Sequence, residues 1–471
     1  MSRLRVLQSN WPWALAAIAI LLLLLLRTVS IEWGEDPRPP GRAEDLEALA
    51  ARDDVNVLFV LVDTLRSDRL GAYGYARETS PWLDSLADRG ILFTSHLAQS
   101  SWTKCSMASL WTGLYPVRTG ITRADHGLPE EARMPAEIFR DAGFRTVGIW
   151  RNGWVSPTFG FAQGFDVYDR PVSAPLPPQI LRANPTVKGG GSDMDAVRAA
   201  AAFLRTSQDD RWFLYLHLMD VHEYIYDSES ALFGTDYSDV YDNSIRYVDD
   251  TLARLYRVLF EAGELERTLI VITSDHGEAF RERGYEGHAR KVYRESTETP
   301  WILSLPFVVD PGVTIQSRTY NVDVWPTVLD LLGLASMGEV DGRSRRNEIL
   351  AAMQDDPIPE SANEPGFAHL DQTWGNAELR PMPTVAVVDG PYRYVLSHEP
   401  RGGTREELFD ASADPSELED LIASDAAIAQ SLRERALTYL GREPIWKEEV
   451  PSLELDELEL NHLRALGYSL P

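Results

Sequence analysis

Short apolar runs rich in β-branched and aromatic residues recur along this chain, at Asn56 to Val62, Phe144 to Trp150, Trp212 to His217, Thr268 to Thr273 and Trp301 to Pro306. Between them lie segments with helical spacing, among them Asp193 to Thr206 and Asn243 to Ala262. In the second, Ile245, Val248, Leu252, Leu255 and Leu259 make one apolar stripe, which reads as a packing face. Strands that alternate with helices predict an α/β fold, with a largely parallel central sheet and helices on both faces.

After about residue 350 the texture changes. Thr384 to Asp389, Gly390-Pro391 and Tyr392 to Leu396 read as a hairpin, followed by Glu407 to Asp410 and a helical stretch from Asp425 to Leu440. This predicts a small antiparallel subdomain over 351–471, packed on a catalytic domain spanning 55–350. Ahead of both, Trp11 to Leu26 is free of charge and ends in six leucines. Extended to Trp33, it is long enough for a membrane span, which takes about 20 residues. Residues 1–33 therefore read as an N-terminal membrane anchor, with a cleaved signal peptide as the alternative, and 34–54 as a stalk. The rest of the chain is then expected outside the cytoplasm.

Composition narrows the function. A formal charge of -27 argues against nucleic-acid binding, which needs a basic surface. A single cysteine, Cys105, cannot form an internal disulfide.

Three polar clusters stand where the predicted strands end, which is where open α/β sheets bind ligands. They are Asp63 to Asp68, Asp275-His276-Gly277-Glu278, and His217 through Asp220 to His222. Carboxylates and imidazoles from separate strand ends can converge on one divalent cation, whereas an isolated aspartate after a strand is often only a helix cap. His217 reads as a core residue.

The segment from Ser101 to Gly113 resembles the core signature of the sulfatase family, within the alkaline phosphatase superfamily, in which C-x-P-x-R leads into a small-residue turn ending in Leu-Thr-Gly. The family's nucleophile, a cysteine or serine oxidised to formylglycine, stands nine residues before the threonine of Thr-Gly, so the register from Thr112 selects Thr103. Cys105 then falls on the family's proline. Were Cys105 the precursor, proline would be needed at Met107 and arginine at Ser109. Val62 to Asp68, Ser274 to Glu278, Asp323 to Asp330 and Glu407 to Asp410 resemble further landmarks of the family, which extends the likeness from Asn56 to about Leu421.

The resemblance implies an alkaline phosphatase/sulfatase-like fold and an ester hydrolase. It implies one divalent metal ion (Ca, Mn, Mg or Zn) on Asp63, Thr103, Asp275 and His276. Thr64 stands where a second aspartate is frequent, which makes the site less anionic and less suited to calcium. His222 and His288 fall where related enzymes contact the oxyanion or the leaving oxygen, and each is a candidate general acid. A second metal on His222, Asp220 and His288 is an alternative. Lys104, Arg151, Asn152 and Arg66 are candidate substrate contacts, with surface ion pairs as the competing reading. The partner is then an ester substrate, phosphate or sulfate, lipid or glycan linked. Head-group transfer, or a noncatalytic binding role on the same scaffold, are the other functions open to such a chain.

Overall fold

The computed structural model describes residues 36–171, 178–183, 191–207, 210–358 and 364–455, with 457, 460 and 463. Pro39–Pro471 form one compact unit. Its centre is an eight-stranded sheet of β1 (Asn56–Val62), β2 (Ile91–Phe93), β3 (Arg145–Trp150), β4 (Val167–Asp169), β5 (Trp212–Leu218), β6 (Thr268–Thr273), β7 (Trp301–Ser304) and β8 (Val313–Ile315). The spatial order is β8-β2-β7-β6-β1-β5-β3-β4. β1 pairs in parallel with β5 and β6, and β3 with β4 and β5, while β7 is antiparallel to both of its neighbours.

Every residue of β1 is buried, and successive side chains enter different cores. Val57, Phe59 and Leu61 join one cluster with Trp111, Tyr215 and Trp325, while Leu58, Val60 and Val62 join the other with Ile245, Leu252 and Leu259. The two-residue period of a strand thus feeds both faces of the sheet, which is why the strand sequences are apolar throughout. Three helices matter for the site and its support. They are α1 (Thr103–Thr112), whose ten residues are all buried, α2 (Asp193–Thr206) and α3 (Tyr237–Glu261), the last carrying the predicted stripe into the second core.

A second sheet follows: β9 (Gly366–Asp371), β10 (Pro383–Asp389), β11 (Tyr392–His398) and β12 (Thr404–Asp410), antiparallel throughout. The predicted hairpin is β10 and β11, and the helix α4 (Ala426–Leu440) packs on it through Ala429, Leu432 and Ala436.

Two expectations about the N-terminus are corrected. The sequence predicts a membrane anchor over 1–33, with the remainder outside the cytoplasm. That segment lies outside the described residues, and among the described residues no helix is long and apolar enough to cross a membrane. The longest described helix, α3, has twenty-five residues but is interrupted throughout by Asp and Arg, which a hydrocarbon core disfavours. The stretch 34–54 is predicted to be a stalk. From Pro40 it runs against the body instead: Pro40 bridges Val308, Gly41 N–H donates to Val308 O at 2.8 Å, and Leu46 and Leu49 are fully buried. These two leucines give the segment an apolar face that its prolines and charges mask in the sequence.

Candidate active site

The parallel strands β1, β3, β5 and β6 deliver their carboxyl ends to one edge of the sheet. Asp63 follows β1, Arg151 and Asn152 follow β3, and Asp275 and His276 follow β6, while His217 lies near the end of β5. Thr103 opens α1, where the first-turn N–H groups of a helix favour an anion. The backbone is strained at this edge. Thr64, a β-branched residue, has φ of 62°, and from that position its N–H donates to Asp275 Oδ1 at 3.3 Å. Gly277 keeps the Asp275-His276 turn close to its neighbour, since a Cβ there would stand 2.3 Å from Glu295 O.

The predicted metal residues converge. Asp63 Oδ2 accepts from His217 Nε2 at 2.9 Å and from Asn152 Nδ2 at 2.7 Å. Thr103 Oγ1 lies 3.1 Å from His276 Nε2 and 3.3 Å from Asn152 Nδ2. His276 Nε2 is 3.3 Å from Asp275 Oδ2 and 3.9 Å from Asp63 Oδ1. Those two carboxylate oxygens are buried and have no hydrogen-bond partner among the described residues. Two orphaned carboxylate oxygens facing one imidazole nitrogen fit a divalent cation, which would give both the partner they lack. Asp63, His217 and Asp275 also present ligand atoms within 4.8 Å of one another. Since His217 already donates to Asp63 Oδ2, the donor set with open oxygens is Asp63 Oδ1, Asp275 Oδ2 and His276 Nε2.

Electrostatics show the same crowding. Burial pushes Asp63 up, but the hydrogen bond from His217 and the nearby imidazoles outweigh it and hold the carboxyl below the usual carboxylate range. Asp275 is pushed up to about 6 by burial and by the charge of Asp63. Burial also lowers His276. Without a cation, two buried carboxylates this close do not both ionise freely.

Next to this group stand the two candidate acids. The His288 ring stacks on His276 at 4.6 Å between centroids, and His222 lies 4.9 Å from His288. His288 Nδ1 is 3.0 Å from Glu278 Oε2, which also accepts from Tyr224 OH at 3.1 Å. Burial alone would lower His288, yet the Glu278 charge and hydrogen bond raise it above its ordinary value. His222 is lowered to about 4, chiefly by burial. His288 is positioned by its neighbour Ala289, whose N–H donates to Ser101 O at 2.7 Å and whose carbonyl accepts from Trp374 Nε1 at 3.1 Å.

Of the predicted substrate contacts, Asn152 alone touches this group. Lys104 Nζ donates to Ala124 O and His126 O at 2.6 and 2.7 Å and lies over the Phe159 ring, holding the loop that carries these carbonyls. Arg151 is enclosed by Asp193, Asp220 and Glu223 at 2.5 to 2.8 Å. Arg66 pairs with Asp68 and Glu282. A buried cation surrounded by carboxylates or carbonyls has little left for substrate, which corrects the reading of these three. Asp220, bound to Arg151 and to Asp193 N–H, is likewise withdrawn from a second metal site. The sequence reading missed His217 and Glu278. His217 shares a face of β5 with Tyr215, whose OH lies 2.7 Å from His217 Nδ1, and Glu278 completes the Asp275-His276-Gly277 turn.

The chain matches the sulfatase family over residues 55–334, more than half its length. It belongs to the sulfatase family. A further match, to the C-terminal region of N-sulphoglucosamine sulphohydrolase, covers residues 282–439. Among relatives of this sulfatase-family enzyme, the ulvan-active sulfatase of Formosa agariphila is 27% identical over 78% of this chain and 77% of its own. The N-acetylgalactosamine-6-sulfatase of Sus scrofa is 25% identical over 62% of this chain and 65% of its own. The solved phosphonate monoester hydrolase of Agrobacterium radiobacter shares the fold, with a TM-score of 0.64 and 21% identity over 82% of this chain and 95% of its own.

Proposed function

We propose that this sulfatase-family enzyme hydrolyses phosphate or sulfate esters through a covalent ester on Thr103, with a divalent cation on Asp63, Asp275 and His276. The observation that carries the reading is the contact of Thr103 Oγ1 with His276 Nε2, beside two buried carboxylate oxygens that have no hydrogen-bond partner among the described residues. Cys105 is turned away: its Sγ donates to His369 O at 3.8 Å, and burial pushes its thiol up to about 12, so it remains protonated and inert.

A divalent cation held by Asp63, Asp275 and His276 would supply Lewis-acid stabilisation of negative charge on oxygen. Asn152 holds Thr103 Oγ1 and Asp63 Oδ2 in one orientation through its amide. Thr103 Oγ1, having released its proton to solvent, attacks phosphorus or sulfur. The bond to the leaving oxygen breaks, and that oxygen takes a proton from His288, which Glu278 holds above its ordinary value. Water then opens the Thr103 ester and restores the hydroxyl. Threonine favours phosphorus, because the family's sulfate release uses the second hydroxyl of a formylglycine hydrate, which threonine lacks. The ulvan-active and N-acetylgalactosamine-6-sulfatase relatives support sulfate, and the phosphonate monoester hydrolase neighbour is compatible with phosphorus.

Aryl phosphate monoesters, diesters and sulfates, assayed with a panel of metals, test this directly. Thr103→Ala is expected to lower kcat by at least ~10³-fold, as loss of a covalent nucleophile does, and Cys105→Ala to keep most of the activity. Chelation is expected to abolish turnover and added metal to restore it. Full activity in Thr103→Ala would reject the mechanism.

A further inference from the structure

The second sheet reaches the active edge through the loop that joins β9 to β10. Asp371, the last residue of β9, shapes this loop by accepting from Thr373 N–H and Met382 N–H, each at 2.9 Å from its Oδ1. Trp374, near the start of the loop, is half-buried. Its ring stacks on Trp102, the residue before Thr103, at 4.4 Å between centroids, and meets the Trp154 ring edge-on at 5.7 Å. Its carbonyl accepts from Ala124 N–H at 2.7 Å. Ala124 is fixed in turn by Lys104, whose ammonium donates to the Ala124 carbonyl from fully buried surroundings beside the rings of Trp102, Trp154 and Phe159. Lys104, which has no contact with the metal residues to offer a substrate, thus braces the segment on which Trp374 rests.

What this bracing holds is the residue after His288. Ala289 has φ of 55°, in the left-handed region that a residue with a Cβ disfavours. The peptide before it is fixed where its N–H donates to Ser101 O at 2.7 Å, and the peptide after it where its carbonyl accepts from Trp374 Nε1 at 3.1 Å. Strained residues of this kind persist where the surroundings over-determine them, and here both flanking peptide planes are held. Were Ala289 to relax, the His288 backbone would turn with it. The ring it carries stacks on His276 at 4.6 Å between centroids and meets Glu278 Oε2 through Nδ1 at 3.0 Å.

We propose that Trp374 is a positioning residue for the hydrolysis: its indole N–H, bound to the Ala289 carbonyl, holds the His288 ring against His276, where it hands a proton to the departing oxygen. The proton transfer rests on the ester-hydrolase reading above; the placement of the ring does not. The consequence depends on the leaving group. Phenolate is more basic than 4-nitrophenolate and needs the proton more, so a displaced His288 slows phenyl esters more than 4-nitrophenyl esters. A general loss of structure would slow both in proportion.

Trp374→Phe keeps a ring for the stack on Trp102 and removes only the N–H. The metal-loaded full chain, this variant and His288→Asn would be compared on phenyl and 4-nitrophenyl phosphate and on the two matching sulfates. The quantity read is the kcat/KM of the 4-nitrophenyl ester divided by that of the phenyl ester. His288→Asn is expected to raise this ratio at least ~10-fold, as loss of a general acid does. Trp374→Phe is expected to raise it about tenfold, since a misplacement of about 1 Å can cost up to ~10²-fold. Crystal structures of the unaltered chain and of Trp374→Phe read the placement without turnover: the His288–His276 centroid separation is expected to exceed 4.6 Å by about 1 Å in the variant. A ring still at 4.6 Å in Trp374→Phe would overturn the proposal. So would a displaced ring with an unchanged ratio, if His288→Asn raises that ratio. If the ring moves but His288→Asn leaves the ratio as it was, or no ester is turned over, the proton-donor reading fails and the placement by Trp374 stands.

Discussion

Thr103 and Cys105 stand two residues apart on one helical turn and meet opposite surroundings. Thr103 faces His276 and Asn152, and Cys105 faces a backbone carbonyl of β9. The helix fixes which of the two positions meets the strand ends. His217 was not legible in the sequence. A histidine at the end of an apolar strand looks like core, and its distance from Asp63 is set by the register of β5 against β1, which a local pattern does not contain. Lys104, Arg151 and Arg66 were misread for a related reason, since each charge is used by a partner distant in sequence or by nearby carbonyls. His96 supplies a prediction at this scale. It is buried between Thr319 and Asn321, and burial lowers it to about 3. The unfolded chain, with an ordinary histidine near pH 6.5, binds more protons between about 3 and 6.5, so the stability this group allows is present above 6.5 and is lost as pH falls. The stability gap between the unaltered protein and His96→Asn is expected to narrow by about 2 kcal/mol between pH 7 and pH 5. Urea melts at the two pH values measure it, and a constant gap would contradict the assignment.

Elements were the most legible level. β1 and β6 begin and end where the apolar runs do, α2 spans the predicted Asp193–Thr206, and the hairpin of β10 and β11 turns at Gly390-Pro391. The short strands β2, β4 and β8 were missed because three residues carry too little periodicity to stand out. The antiparallel entry of β7 was equally hidden, since direction depends on the connection and not on the strand's own residues. The helix α1 ends at Gly113, in the left-handed region with φ of 68°, where a Cβ would meet Val340 Cγ1 at 3.0 Å. Gly113→Ala is expected to cost about 1–2 kcal/mol from the left-handed backbone, with added strain at Val340. A thermal melt reads this directly, and an unchanged midpoint would show that the helix end tolerates a side chain.

At the scale of the whole molecule, the active edge of the main sheet and the second sheet are coupled. Arg393 on β11 is fully buried and binds Glu417 at 2.8 Å, Glu298 at 3.1 Å and Thr297 Oγ1 at 3.2 Å, so it reaches from the small sheet to the segment just before β7. The sequence separates Arg393 from Glu298 and Thr297 by 95 and 96 positions, which is why composition and local pattern showed a subdomain but not how it is attached. Arg393→Ala leaves Glu417 buried and without this partner, and is expected to destabilise the chain by about 3–5 kcal/mol, measured by denaturant unfolding. The central claim, however, concerns one atom of the main site, Thr103 Oγ1. The measurement that tests it most directly is peptide mass mapping of metal-loaded enzyme, acid-quenched during turnover of an aryl phosphate or sulfate. The account predicts a phosphoryl or sulfuryl adduct on Thr103, absent from Thr103→Ala and present in Cys105→Ala. An adduct at residue 105, or formylglycine found there, would contradict it.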